Sequence, residues 1–139
     1  MSLLLDTNIV SELRKGSRAD RRVRAWFDAQ SESDLYLSVL VIGELRRGVE
    51  NVRGKDVRQA QALERWLQRL TRQHADHILP VDLRVADEWG RFSARRSAPP
   101  VDVLMAATAR VHQLTLVTRN TRDIAWTGVA HLNPFERPN

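Results

Sequence analysis

Four acids in this 139-residue chain stand where a fold could bring them together. Asp6 ends the apolar run Leu3-Leu4-Leu5, and Glu44 sits in a helical stretch that follows the strand candidate Leu35-Tyr36-Leu37-Ser38. Asp102 comes just after Pro99-Pro100-Val101, and Asp123 lies just past Leu114-Thr115-Leu116-Val117-Thr118. Crowded carboxylates repel and raise one another's pKa, so a cluster of this kind is tolerable when a cation neutralises it. Oxygen donors without cysteine or paired histidine point to a hard ion, Mg2+ or Mn2+. Each acid also has a plainer reading. Asp6 and Asp102 are good helix-capping residues, Glu44 can pair with Arg47, and Asp123 suits an ordinary turn. The histidines offer no zinc site, since His74 and His77 lie near a helix end without partners and His112 and His131 are isolated.

The elements that must position these acids alternate between strands and helices. Three large apolar residues in a row read as a buried strand of a parallel sheet, which delivers Asp6 to its carboxyl edge, where sites in open α/β sheets are built. Helical character follows over Thr7 to Lys15 and over about Ala19 to Ala29, with Val23, Trp26 and Phe27 on the buried side. From Val39 to about Asn51 the spacing of Val41, Leu45 and Val49 defines one helical face, and Glu44 lies next to it. Gly54 is expected to open a long helix to about His74, with Arg58, Glu64, Arg65, Arg69 and Arg72 on its solvated side. Ile78 to Val81 is a short marginal strand, and Asp82 caps a helix with the stripe Val85, Trp89 and Phe92. Asp102 falls in the first turn of a helix running to about Gln113, whose alanine-rich body suits burial on most sides. A last strand is expected near Val129 to Leu132. The alternation predicts a central parallel sheet with helices on both faces, in one domain spanning residues 1–139.

Composition narrows the chemistry. With no cysteine, thiolate catalysis, disulfides and cysteine-ligated zinc are excluded, and a reducing cytosol is the expected setting. No signal peptide is expected, because Asp6 and Glu12 interrupt the first apolar run. No apolar run approaches the roughly 20 residues needed to span a bilayer. The net charge of +5 is carried almost wholly by arginine, all but Lys15 and Lys55, and favours a polyanionic partner.

The stretches Leu4-Leu5-Asp6-Thr7-Asn8-Ile9, Ser38 through Ile42-Gly43-Glu44-Leu45-Arg46-Arg47-Gly48, Val101-Asp102-Val103-Leu104-Met105-Ala106-Ala107-Thr108-Ala109, Val117-Thr118-Arg119-Asn120-Thr121-Arg122-Asp123 and Leu132-Asn133-Pro134-Phe135 resemble, in order, the signature blocks of PIN-domain proteins. Within these the chain is most similar to bacterial toxins of the VapC and FitB type. The resemblance implies a PIN-like α/β/α sandwich and a metal-dependent endoribonuclease, partnered by a small antitoxin and forming a homodimer. It gives the acidic roles to Asp6, Glu44, Asp102 and Asp123, with Asn8 and Thr118 as polar neighbours. Asn120 stands where many relatives carry another aspartate, which removes one charge.

On that reading a cation on Asp6 and Asp102 activates water for attack on an RNA phosphodiester, and Glu44 or Asp123 completes the ligand set. Thr118 and Asn120 orient those ligands, while Arg46, Arg47, Arg119 and Arg122 are the nearest candidates for holding flanking phosphates. Two other classes stay open: a structure-specific DNA nuclease, and a PIN protein that binds nucleic acid without cutting it. Aspartyl-phosphate chemistry is disfavoured because Asn8 occupies the position of its second acid, and a receiver domain because no lysine lies in the second half. The aromatics Trp26, Phe27, Trp66 and Trp89 are candidates for either core packing or a partner surface.

Overall fold

A computed structural model describes residues 1–136. Five strands, β1 (Leu3–Leu5), β2 (Leu35–Ser38), β3 (Ile78–Leu79), β4 (Thr115–Val117) and β5 (His131–Leu132), form one sheet in the order β3-β2-β1-β4-β5, and every pairing is parallel. All three leucines of β1 are buried, as a continuous apolar run in the middle of a parallel sheet requires.

Seven helices connect the strands: α1 (Thr7–Leu13), α2 (Arg21–Asp28), α3 (Val39–Arg53), α4 (Val57–Gln73), α5 (Leu83–Arg95), α6 (Pro100–His112) and α7 (Thr121–Ile124). From β1 the chain moves outward through β2 to β3, then crosses back to β4 on the other side of β1. Right-handed crossovers therefore put α1 to α4 on one face and α5 to α7 on the other. The packing agrees, with α3 against α4 and α1, and α6 against α5 and α7. The result is an α/β/α arrangement whose direction of winding reverses between β1 and β4, the point at which such sheets open a crevice beyond their carboxyl ends.

Local chemistry sets the helix starts. Asp6, Asp20, Ser38, Asp56 and Asp82 each accept a backbone N–H of the first turn of the helix they precede. Each such cap is worth about 1 kcal/mol. Asp56 corrects the expectation that Gly54 opens the long helix: its carboxylate bonds Gln59 N at 3.1 Å, and Gly54 instead ends α3.

Leu3, Leu4, Ile9, Val41, Val85, Phe92, Met105 and Leu116 are fully enclosed between the layers. α6 buries Val103 and the run Met105 to Ala109, where small side chains let its backbone approach the sheet closely. Trp89 departs from the expected buried stripe and is 36% exposed. At about 100° per residue it lies roughly 60° around the helix from Phe92, at the border of the face that meets α6. Trp26, Phe27 and Trp66 pack partly buried against the core.

At the end of α6, Gln113 takes a left-handed conformation at φ 56°, and Leu114 N bonds Ala109 O at 2.8 Å across it. A side chain there is strained where glycine is not. Gln113→Gly is expected to stabilise the fold by about 1 kcal/mol, read as a higher urea midpoint with an unchanged m-value.

Candidate active site

Asp6 is the first residue beyond the central strand, and its backbone N–H still bonds Val117 O of β4 at 2.9 Å. Its carboxylate serves two structures. Oδ1 accepts Thr7 N at 2.8 Å and so caps α1, while Oδ2 accepts the Thr118 hydroxyl at 2.8 Å. The Asn8 amide donates to Asp6 Oδ2 at 3.4 Å and to Thr118 Oγ1 at 3.3 Å, and its Oδ1 accepts Arg119 N at 3.1 Å. Thr118, only 1% exposed, also accepts Asn120 N at 3.1 Å. The ends of β1 and β4 are thus tied into one polar knot in which Thr118 Oγ1 is the shared atom.

Glu44 reaches this knot from α3. The Thr7 hydroxyl donates to Glu44 Oε1 at 2.7 Å, and Arg47 Nη2 stands 3.6 Å from Glu44 Oε2. Thr7 escapes a reading of the sequence, because its partner is 37 residues away. The only sign of it is its position between Asp6 and Asn8.

Asp102 occupies the first turn of α6, half-buried, with no hydrogen-bond or ion-pair partner among the described residues. Its pKa is raised, first by burial and then by the charges of Asp6, Asp123 and Glu44. Asp6 is raised too: burial outweighs the Thr118 and Thr7 hydrogen bonds that favour its ionised form, and Glu44 adds repulsion. The four acids therefore share one electrostatic environment, fed by β1, α3, α6 and α7. They are not gathered as tightly as a coordination sphere, since no three His, Asp or Glu side chains among the described residues are grouped so as to hold an ion.

The remaining candidates scatter around this edge. Asp123, Arg122 and Asn120 are exposed on or beside α7, and the Asn120 side chain makes no cap there. Arg119 places its guanidinium 4.5 Å from the Phe135 ring centroid. Arg46 bonds Glu64 at 2.6 Å and Glu50 at 3.2 Å, so its charge is engaged between α3 and α4. A cavity of about 670 Å3 between α2 and β5, lined by Trp26, His131 and Asn133 among others, contains none of the four acids.

Comparison with known proteins agrees with this architecture. The PIN domain family model matches residues 3–127. Toxin FitB of Neisseria gonorrhoeae is 35% identical over 96% of this chain and 98% of its own length. A VapC ribonuclease of Sinorhizobium fredii is 34% identical, also over 96% of this chain and 98% of its own. The crystal structure of FitAcB from Neisseria gonorrhoeae superposes with a TM-score of 0.87 at 32% identity, covering 97% of this chain and 99% of the other. With a matched family model, whole-length relatives and a shared five-stranded topology, the chain belongs to the PIN-domain family, alongside the FitB and VapC toxins.

Proposed function

We propose that the chain is a divalent-metal-dependent endoribonuclease that acts as the toxin of a toxin-antitoxin pair. The observation that carries this reading is the half-buried Asp102, whose pKa is raised first by burial and then by the charges of Asp6, Asp123 and Glu44, with no donor among the described residues to offset them. Leaving like charges crowded at a sheet edge is costly, and a hard cation turns that cost into affinity. The ribonuclease name of the 34% identical relative and the FitAB complexes among the structural relatives supply the substrate class and the antitoxin partner.

The donor set fits Mg2+ or Mn2+ in chemistry, being all oxygen with no competing thiolate or histidine pair. Asp6 and Asp102 are assigned as the direct holders, with Glu44 and Asp123 completing the set directly or through water. Because no three of these side chains are gathered in advance, loading is coupled to their drawing together or to bridging water. When bound, the ion supplies a water of lowered pKa and a counter-charge for the phosphodiester oxygens. The chain's own residues do the rest. Thr118 and Asn8 aim Asp6 through its Oδ2, and Thr7 fixes Glu44, so three uncharged side chains orient two acids. Asn120 contributes its backbone N–H to Thr118 and no charge to the site.

Cleavage of a labelled single-stranded RNA in Mg2+ or Mn2+, lost on chelation, is the direct test. Asp6→Asn and Asp102→Asn are each expected to lower that rate by on the order of 100-fold or more while the protein stays folded. Metal-independent cleavage, or an Asp102→Asn variant as active as the parent, contradicts the assignment.

A pH experiment reads the cost of ionising Asp102, set first by burial and then by the neighbouring acids. Asp102 has a folded-state pKa above the ordinary 3.8, so the folded chain binds its proton more readily than the unfolded chain does. Stability from this group is fully present below 3.8 and is lost as pH rises through the raised value. Asp102→Asn should therefore melt above the parent at pH 7 in EDTA, and the gap should close on acidification as the parent's carboxyl takes up its proton. A gap that does not change with pH would refute the electrostatic account.

A further inference from the structure

Five of the 20 arginines in this chain have a carboxylate partner among the described residues; of those without one, Arg14, Arg110 and Arg119 each lie singly over an aromatic ring, and only Trp126 is shared by two. Arg24, Arg46, Arg47, Arg53 and Arg91 are each paired with a carboxylate, on Asp28, on Glu50 and Glu64, on Glu44, on Glu50 and Glu64, and on Asp87 and Glu88 respectively. Their charge is neutralised within the protein. Arg95 and Arg96, both exposed at the end of α5, have no ion-pair partner among the described residues and lie instead against an aromatic ring. Their Cζ atoms stand 5.8 and 5.6 Å from the Trp126 ring centroid.

The ring that seats them is itself anchored. Phe92 meets Trp126 edge-on at 6.1 Å and 77° from beneath, and Arg95 Nη2 donates to Trp126 O at 3.2 Å. Trp126 Nε1 donates to Asp123 O at 3.0 Å, so the platform is bonded directly to the segment carrying one of the four acids. A guanidinium held against an indole loses rotational freedom while most of its N–H groups stay available, those of Arg95 beyond the one given to Trp126 O included, which prepares it for contact with an anion. Two such groups held at one ring suit the phosphates of a nucleic-acid strand. The acids beside them repel that same strand, so unneutralised cations at this border are what a polyanion needs in order to approach.

We infer that Arg95 and Arg96, seated on Trp126, form a phosphate-gripping wall for single-stranded RNA next to the acids. This rests on the ribonuclease reading for the identity of the strand. The wall holds the backbone and leaves base choice to other contacts, since guanidinium–phosphate pairing carries no sequence information.

The test is anisotropy of a short fluorescein-labelled single-stranded RNA of mixed sequence, titrated with the full-length protein in EDTA over a series of KCl concentrations. Arg95→Ala combined with Arg96→Ala is expected to weaken binding about tenfold and to reduce the slope of log Kd against log salt by about 1.4, two phosphates at roughly 0.7 each. Arg95→Lys with Arg96→Lys should keep the parental slope, because the number of charges is unchanged. Arg91→Ala, on the same helix but already paired with Asp87 and Glu88, should bind as the parent does. Parental affinity and slope in the double alanine variant would overturn the inference. So would an equal loss in Arg91→Ala, which would reduce the effect to net charge, or tighter binding of the same sequence as single-stranded DNA. Failure of the ribonuclease reading shows separately, as absence of metal-dependent cleavage by the parent protein whatever the anisotropy reads.

Discussion

The hydrogen bond from the Thr118 hydroxyl to Asp6 Oδ2 joins the ends of the two strands between which the sheet reverses its winding. A carboxylate at that point loses solvation and is costly to ionise, so it needs donors from within the chain. It receives them from Thr7 N, Thr118 and Asn8, which come from opposite sides of the crevice. Those donors in turn hold the loop after β4 through Arg119 N and Asn120 N, and hold Glu44 through the Thr7 hydroxyl. Removal of the central acid would leave several polar groups without partners. The site is therefore part of the fold's own hydrogen bonding rather than a decoration upon it.

The same arrangement concentrates unfavourable charge. Asp6 and Asp102 both have raised pKa values, by burial first and by neighbouring acids afterwards. Elsewhere the chain follows the opposite policy, with Arg46 and Arg53 bracketing Glu50 and Glu64 across α3 and α4. Those pairs are exposed and contribute little stability individually, yet they remove four charges from the protein's outward field. At the acidic edge Asp102 has no partner among the described residues, and Arg95 and Arg96 on Trp126 and Arg119 on Phe135 are among the arginines without a carboxylate partner. Leaving Asp102 without a partner departs from the pairing between α3 and α4, and such departures mark candidate functional sites.

Membership of the PIN-domain family accounts for the topology. Asn120 offers its backbone to Thr118 and leaves its amide exposed, so the knot is complete without a fifth acid. Asp102 stands in the first turn of α6, where the helix dipole favours its ionised form. The dipole is outweighed there by burial and by three like charges.

Much of this was legible in the residues themselves, wherever the information is local. The leucine run of β1, the capping acids, the periodic faces of α3 and α4 and the proline-led start of α6 are each decided by neighbours within a turn or two. The order of strands and helices then leaves few topologies, because parallel crossovers have one hand. Locality also explains the failures: Gly54 and Asp56 are both plausible helix starts until the Gln59 bond chooses, and Trp89 lies too near the edge of its stripe for periodicity to bury it. Which polar groups meet is a different kind of fact. Thr7 with Glu44, Thr118 with Asp6, and Arg95 and Arg96 with Trp126 join residues 37, 112 and about 30 positions apart. Sequence determined the elements and the presence of four acids at or near the carboxyl edge they form. Only the folded chain, by fixing distances among strands that are remote along it, decided which of those charges feel one another and which arginines lie against aromatic rings.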